Sequence, residues 1–201
     1  MRTTSTSCES RQLVLASTSL YRKELLERLG LPFVTAAPNL DESPLIGETA
    51  AQTSERLAIA KAKVLADQYP NSLIIGSDQV ALLNGVQLGK PGNHERAVVQ
   101  LAAMRGQSIA FHTALCLYNT ATQQVQSHVD ITTVTMRDYS DAQIETYLRR
   151  EQPYNCAGSA KTEGLGIVMI AAINSTDPAA IIGLPLIELV SMLNRESYPI
   201  L

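Results

Sequence analysis

The sequence predicts a mixed α/β sheet with flanking helices, set in two lobes with a cleft between them. Three observations lead there. Stretches with apolar residues at helical spacing alternate with short apolar runs along the chain. Asn84-Gly85, between Val80-Ala81-Leu82-Leu83 and Val86-Gln87-Leu88, is a two-residue hairpin signal, so the sheet contains antiparallel pairs. Thr49 with Gln52, and Ser140 with Gln143, have the spacing of capping boxes and mark two helix starts.

In chain order, residues 12–16 form a first strand. Ser17-Thr18-Ser19 then offer N-cap oxygens to a helix carrying Leu25, Leu26 and Leu29, closed by Gly30. A second strand covers 33–37. The helix after Thr49 turns Leu57, Ala60, Val64 and Leu65 inward and breaks at Pro70-Asn71. A buried strand over 73–77 ends by presenting Asp78, and the hairpin follows. Asn93 caps a helix bearing Ala97, Val98, Leu101 and Met104, ended at Gly106. Alternation of Ile109, Phe111, Leu115 and Leu117, and of Val129 and Ile131, gives two antiparallel strands around a turn near Asn119-Thr120. The alternation changes phase between Ile131 and Val134, where a bulge or twist is expected. A helix from Ser140 through Leu148, a strand over 166–173 and a terminal helix over 186–193 complete the set. Residues 1–10, rich in Ser and Thr, read as a flexible tail, and 11–201 as one α/β domain.

At 201 residues the chain is long enough to bury a substantial core. Its net charge of −3 and pI near 5.6 argue against polymeric nucleic acid, which calls for a basic stripe. A small anionic substrate needs only a few local cations. The longest apolar run, over 164–173, falls well short of the roughly 20 residues that span a bilayer, so no membrane association is expected. Cys8, Cys116 and Cys156 are odd in number and widely spaced, and read as reduced thiols of a cytoplasmic protein.

The residues that could carry chemistry lie at the ends of these elements. Asp78, in Gly76-Ser77-Asp78-Gln79, could hold a divalent cation or accept a proton from water. Glu42, beside Asp41 on a proline-flanked loop, is either solvated or shares a magnesium ion with Asp78. The loop Ser17-Thr18-Ser19 precedes a helix N-terminus, which favours an anion, and Arg22 could grip phosphate with two N–H groups. The same serines could simply cap the helix. Of Lys61 and Lys63, one is expected to face the cleft. Lys90 sits between Gly89, which permits close approach, and Pro91, which fixes the exit of the chain. Glu163, in the glycine-rich stretch 155–166, could accept hydrogen bonds from a base edge, although the spacing is not that of a P-loop. His94, His112 and His128 show no metal-ligand spacing and read as structural.

Together these stretches resemble the Maf family of nucleoside triphosphate pyrophosphatases. The ordered pieces are Leu15-Ala16-Ser17-Thr18-Ser19-Leu20-Tyr21-Arg22, Asp41-Glu42, Arg56-Leu57-Ala58-Ile59-Ala60-Lys61-Ala62-Lys63, Gly76-Ser77-Asp78-Gln79, Gly89-Lys90-Pro91, Ala157-Gly158-Ser159, Glu163-Gly164 and Gly183-Leu184-Pro185-Leu186. The resemblance implies an elongated sheet of Maf/ITPase-like type and cleavage between the α and β phosphates of a nucleotide with Mg2+ or Mn2+. It implies Asp78 as proton acceptor and metal ligand, Glu42 as the second catalytic acid and metal ligand, and Lys90 as a catalytic cation. Ser17, Arg22 and Lys61 are the implied substrate-binding residues. Leu20 departs from the family's usual proline. Tyr21, Gln79 and Glu163 stand where branches of the family differ, and they resemble the branch acting on 7-methyl-GTP. N7-methylation makes guanine cationic, which favours stacking on Tyr21 by about 0.5–2 kcal/mol. The N1–H and amino donors of guanine match a carboxylate at Glu163, whereas a thymine or uracil edge adds carbonyls that it would repel. The implied role is removal of modified nucleotides. Alternatives are a pyrophosphatase for dTTP/UTP or other modified nucleotides and a non-catalytic nucleotide-binding regulator of cell division. The resemblance is also compatible with a homodimer.

Overall fold

A computed structural model describes residues 11–201, and the tail and Cys8 lie outside the described residues. The elements run β1 (Gln12–Ala16), α1 (Leu20–Glu27), β2 (Phe33–Ala36), α2 (Ala50–Lys63), β3 (Ser72–Leu83) and β4 (Val86–Leu88). They continue with α3 (His94–Met104), β5 (Ser108–Asn119), β6 (Gln124–Met136), α4 (Asp141–Glu151), β7 (Ile170–Asn174) and α5 (Leu186–Arg195). The sheet order is β2-β1-β3-β5-β6-β7, with β4 paired to β3. β2, β1 and β3 are mutually parallel and every other pair is antiparallel. The expected mixed sheet is therefore present.

Local chemistry explains the boundaries. Both capping boxes form, Thr49 with Gln52 at α2 and Ser140 with Gln143 at α4. Asn84 and Gly85 both take positive φ, 50° and 80°, as a type I′ turn requires, and this sets the register of β3 against β4.

Alternation along β3 sorts the core. On one face, Leu73 and Ile75 pack with α1 and α5, while Ala81 and Leu83 pack with α3 and α4. These two clusters are the two lobes. Between them the same face carries polar residues: the Ser77 hydroxyl donates to Gly183 O at 2.8 Å, and Gln79 reaches Ala180 O and Ile181 O. On the opposite face Ile74 packs under Ala58 and Ala62 of α2.

Four expectations need correction. Asp78 does not end a strand. It is the seventh of the twelve residues of β3, which runs on into the hairpin. What ends there is the neighbour: β1 pairs with β3 only as far as Leu15 opposite Ile75, while β5 continues past Asp78. The crevice thus opens at the carboxyl end of the parallel strands, although β3 itself continues.

On α2, Leu57 and Leu65 are buried as expected, but Val64 is 45% exposed and Ala58, Lys61 and Ala62 face inward. Gly76 explains the shift. A Cβ there would lie 2.0 Å from Ala58 O, so the helix rests directly on the strand backbone and only small residues fit the contact.

No bulge interrupts β6 between Ile131 and Val134, because its pairing with β5 is continuous from Ser108↔Thr135 to Asn119↔Gln124. The apolar phase changes because the covering layer changes sides: Val129 packs towards α2, and Val134 and Met136 towards α3 and α4. The register shift lies between Thr135 and Met136, against β7. Finally, Leu165–Met169 winds as 3-10 turns and the strand begins only at Ile170. A Cβ on Gly166 would lie 2.4 Å from Lys161 O, so glycine lets the loop fold back on itself there. A short apolar run cannot by itself distinguish these conformations.

Candidate active site

Lys61 sits at the centre of the polar cluster on the α2 face of the sheet. Its ammonium donates to Asp78 Oδ1 at 2.7 Å and to Glu42 Oε2 at 2.8 Å. The Lys61 and Asp78 side chains are only 6% and 11% exposed, whereas Glu42 is 53% exposed. An ammonium has three donors, so one remains for an incoming anion. Burial pushes the Asp78 carboxyl above its ordinary value, with Lys61 and Arg22 pulling the other way and Glu42 adding to the rise. A carboxylate tuned upward is a better proton acceptor than a solvated one. Lys63, the other lysine of the pair, is exposed and lies over the Tyr118 ring.

The loop that brings Glu42 to Lys61 is tied down by Glu48, a residue that sequence reasoning passed over. Its carboxylate accepts from Arg56, from Leu45 N at 3.0 Å and from Thr53 Oγ1 at 3.0 Å. Arg56 first, and then the Leu45 N–H, hold Glu48 down to about 2. Arg56 also donates to Ser43 O. The signal was legible in principle, since Glu48 immediately precedes the Thr49 cap.

Arg22 approaches from α1. Its Nε donates to Gly183 O at 2.8 Å, the same carbonyl that Ser77 uses, leaving both terminal nitrogens of the guanidinium for an anion. Burial among protein atoms draws Arg22 down from its ordinary value, and Asp78 and Glu42 oppose that. Ser17 is buried between β1 and α1, and its Oγ accepts from Ser19 N at 3.1 Å. Ser19 is the N-cap, accepting from Arg22 N. The capping and anion-binding roles of this loop are therefore compatible: Ser19 caps, and the Ser17 hydroxyl proton and the first-turn N–H groups of Leu20 and Tyr21 have no described protein acceptor.

Tyr21 reaches from the lobe of α1 to the other lobe. Its hydroxyl lies 4.0 Å from Cys156 Sγ, and the Lys161 ammonium is 5.8 Å from its ring centroid. Burial raises the Tyr21 phenol, and the nearby Glu163 charge adds to the rise. Glu163 is exposed on the loop that carries Lys161, two residues further on. Gln79 is not part of this group: its amide nitrogen is hydrogen-bonded to Thr113 Oγ1, Ala180 O and Ile181 O, on the sheet face opposite Asp78. Lys90 is exposed, and no described hydrogen bond or ion pair joins it to Asp78. Its loop leans instead on the 157–159 turn, through Gly158 N to Gly89 O at 3.5 Å, and on α3, through Gln100 to Gly89 O at 2.9 Å.

Two carboxylates here share one cation, the ammonium of Lys61, and the second oxygen of each has no described protein partner. Among the described residues no group of three or more His, Cys, Asp or Glu side chains gathers around a point. The donor set fits a hard divalent ion that completes its shell with water and substrate oxygens, and does not fit an all-protein metal cage. A separate groove of about 760 Å3 runs along the outer side of α2, lined by Leu45, Ile46 and Ile59 among others, and excludes Asp78. No helix among the described residues is long and apolar enough to cross a membrane.

Fold and cluster define a mixed α/β protein that can hold an anion against a buried, partnered acid. The chain belongs to the Maf-like family, whose model, described as Maf-like protein, matches residues 12–196. It is 58% identical over 189 residues to a protein of Methylobacillus flagellatus named 7-methyl-GTP pyrophosphatase, an alignment covering 94% of this chain and 98% of that one. Proteins of the same name from Burkholderia orbicola and Polaromonas sp. are 52% and 55% identical, covering 97% and 92% of this chain and 94% and 84% of theirs. The solved structure of the Staphylococcus aureus Ham1 protein aligns with a TM-score of 0.45 and 16% identity, over 64% of this chain and 73% of that one.

Proposed function

We propose that this protein is a cytoplasmic hydrolase that cleaves 7-methyl-GTP to 7-methyl-GMP and pyrophosphate, clearing modified nucleotides. The observation that carries this is the near full-length similarity, at 52–58% identity, to proteins bearing that name. Tyr21 and Glu163 support the base preference, one offering a ring face and the other a carboxylate edge, with Lys161, two residues before Glu163, 5.8 Å from the Tyr21 ring centroid.

In the proposed mechanism the triphosphate enters the crevice beyond β1. Arg22 binds a phosphate oxygen through its terminal nitrogens, and Lys61 uses its third N–H in the same way. The Ser17 hydroxyl and the first-turn N–H groups of α1 take another oxygen. Asp78 orients a water and accepts its proton, the water oxygen bonds to the α-phosphorus, and the bond from that phosphorus to the bridging oxygen breaks to release pyrophosphate. Lys90 is assigned to charge on the leaving group, reached from its loop at the rim. Asp78 and Glu42 would hold a magnesium or manganese ion, which when bound neutralises phosphate charge and acidifies water. Positioning and electrostatics supply most of the acceleration. Gln79 contributes to specificity through the 180–182 turn that its amide supports, rather than by touching the base.

The test is a panel of 7-methyl-GTP, GTP, dTTP and UTP, each with magnesium, manganese or chelator, scoring monophosphate and pyrophosphate together. The expected result is metal-dependent release of both, greatest for 7-methyl-GTP. Release of orthophosphate and a diphosphate, or a preference for UTP, would overturn the proposal.

A further inference from the structure

The loop between α4 and β7 carries one ammonium with two acids near it. Lys161 Nζ pairs with Glu151 Oε1 at 2.9 Å. Glu163, two residues further along, is exposed and among the described residues accepts only from Thr162 Oγ1, at 3.3 Å. It stands on the same loop as Lys161, whose ammonium lies 5.8 Å from the Tyr21 ring centroid. Lys161 therefore has a choice of partners, and the structure shows it paired with Glu151.

Several features hold that choice. The Glu151 side chain is only 14% exposed, and its second oxygen accepts from Leu165 N at 2.8 Å, so it presents a fixed carboxylate. Gly164 lets the loop pass against it, since a Cβ there would lie 2.9 Å from Glu151 Oε1. The backbone of Lys161 is anchored as well, with its N–H donating to Tyr147 Oη at 3.1 Å and that hydroxyl donating on to Ser159 O. Among the described residues nothing comparable fixes Glu163.

We propose that Glu151 is a positioning residue that sets base selectivity by keeping Lys161 away from Glu163. This rests on the assignment of Tyr21 and Glu163 to the base. With Lys161 neutralised by Glu151, the three charges sum to one negative, carried by Glu163 and free to meet the N1–H and amino donors of a cationic guanine. Without Glu151, the ammonium beside the Tyr21 ring turns to Glu163, the pocket becomes neutral, and the cation already over the ring opposes a cationic base.

The experiment measures kcat and KM for 7-methyl-GTP and GTP with wild type, Glu151→Gln, Lys161→Met, the Glu151→Gln/Lys161→Met double variant and Glu163→Gln. Glutamine at 151 can still accept from Leu165 N, and a thermal melt checks that each variant is folded. Glu151→Gln is expected to lower the 7-methyl-GTP to GTP ratio of kcat/KM about tenfold, through KM for 7-methyl-GTP, as for loss of a charge-assisted hydrogen bond. Lys161→Met in that background is expected to restore the ratio to within about threefold of wild type, because Glu163 is freed again. An unchanged ratio in Glu151→Gln, or no rescue in the double variant, would overturn the inference. If Glu163→Gln lowers the ratio while Glu151→Gln does not, only this inference fails. If Glu163→Gln leaves the ratio intact, the assignment of the base site fails and this inference with it.

Discussion

Replacing Lys61 by methionine removes the cation that partners both acids while keeping the length of the side chain. Asp78, with 11% of its side chain exposed, would lose a 2.7 Å charge-assisted bond and keep its burial. Breaking a buried pair from one side costs roughly 3–5 kcal/mol, because the remaining charge is stranded. The contact to the half-exposed Glu42 adds little. A loss of about 3 kcal/mol corresponds to a fall in Tm of roughly 6–12 °C for a chain of this size. The sign with pH follows from the raised Asp78 pKa, which lifts further without Lys61. Between the unfolded and folded pKa values the folded state binds more protons, so stability falls as pH rises through that window. The gap between wild type and variant should therefore be small at pH below about 4 and full at neutral pH. Thermal melts in the presence of chelator measure it, and Lys61→Met/Asp78→Asn should regain most of the loss. A Tm unchanged at neutral pH, or a double variant no more stable than the single, would refute the stranded-charge argument.

Gly76→Ala should push α2 off β3, since the new methyl would meet Ala58 O. Overpacking of this kind costs about 1–3 kcal/mol, read as a Tm decrease, and kcat/KM should fall too because Lys61 rides on the displaced helix. Glu48→Gln should lower Tm at neutral pH and match wild type near pH 2, because the stability given by a depressed carboxylate is present above its unfolded pKa and lost as pH falls through the folded value of about 2. Arg22→Lys should lower kcat/KM for the triphosphate by about tenfold or more, since an ammonium cannot keep the Gly183 carbonyl and still offer two further nitrogens to phosphate. Sedimentation of the purified protein tests the homodimer with which the family resemblance is compatible, by setting a mass of twice 21.7 kDa against that of the single chain.

Much of this was legible in the sequence wherever the cause was local. The capping boxes at Thr49 and Ser140 and the Asn84-Gly85 turn depend on residues within three positions of each other, and each formed as expected. The acids and the cleft-facing lysine were also legible as residue types, and the structure brings Asp78, Glu42 and Lys61 together. Their setting was not. Asp78 lies mid-strand because the length of β1 decides where the crevice opens, and nothing near Asp78 records that. Val64 faces outward because Gly76, twelve residues on, draws the small face of α2 onto the sheet. Gln79 faces the 180–182 turn because its alternation is set by Asp78, one residue before it. The Glu151–Lys161 pair closes a loop whose glycines carry no periodic signal.

The most direct test is the single-turnover reaction of Asp78→Asn with 7-methyl-GTP under saturating metal, beside wild type, on protein shown by its melt to be folded. Loss of at least about a thousandfold in rate, with substrate still bound, is the expected result for removal of the proton acceptor. Turnover to 7-methyl-GMP and pyrophosphate at the wild-type rate would contradict the assignment of Asp78 and leave the cluster around Lys61 without a catalytic role.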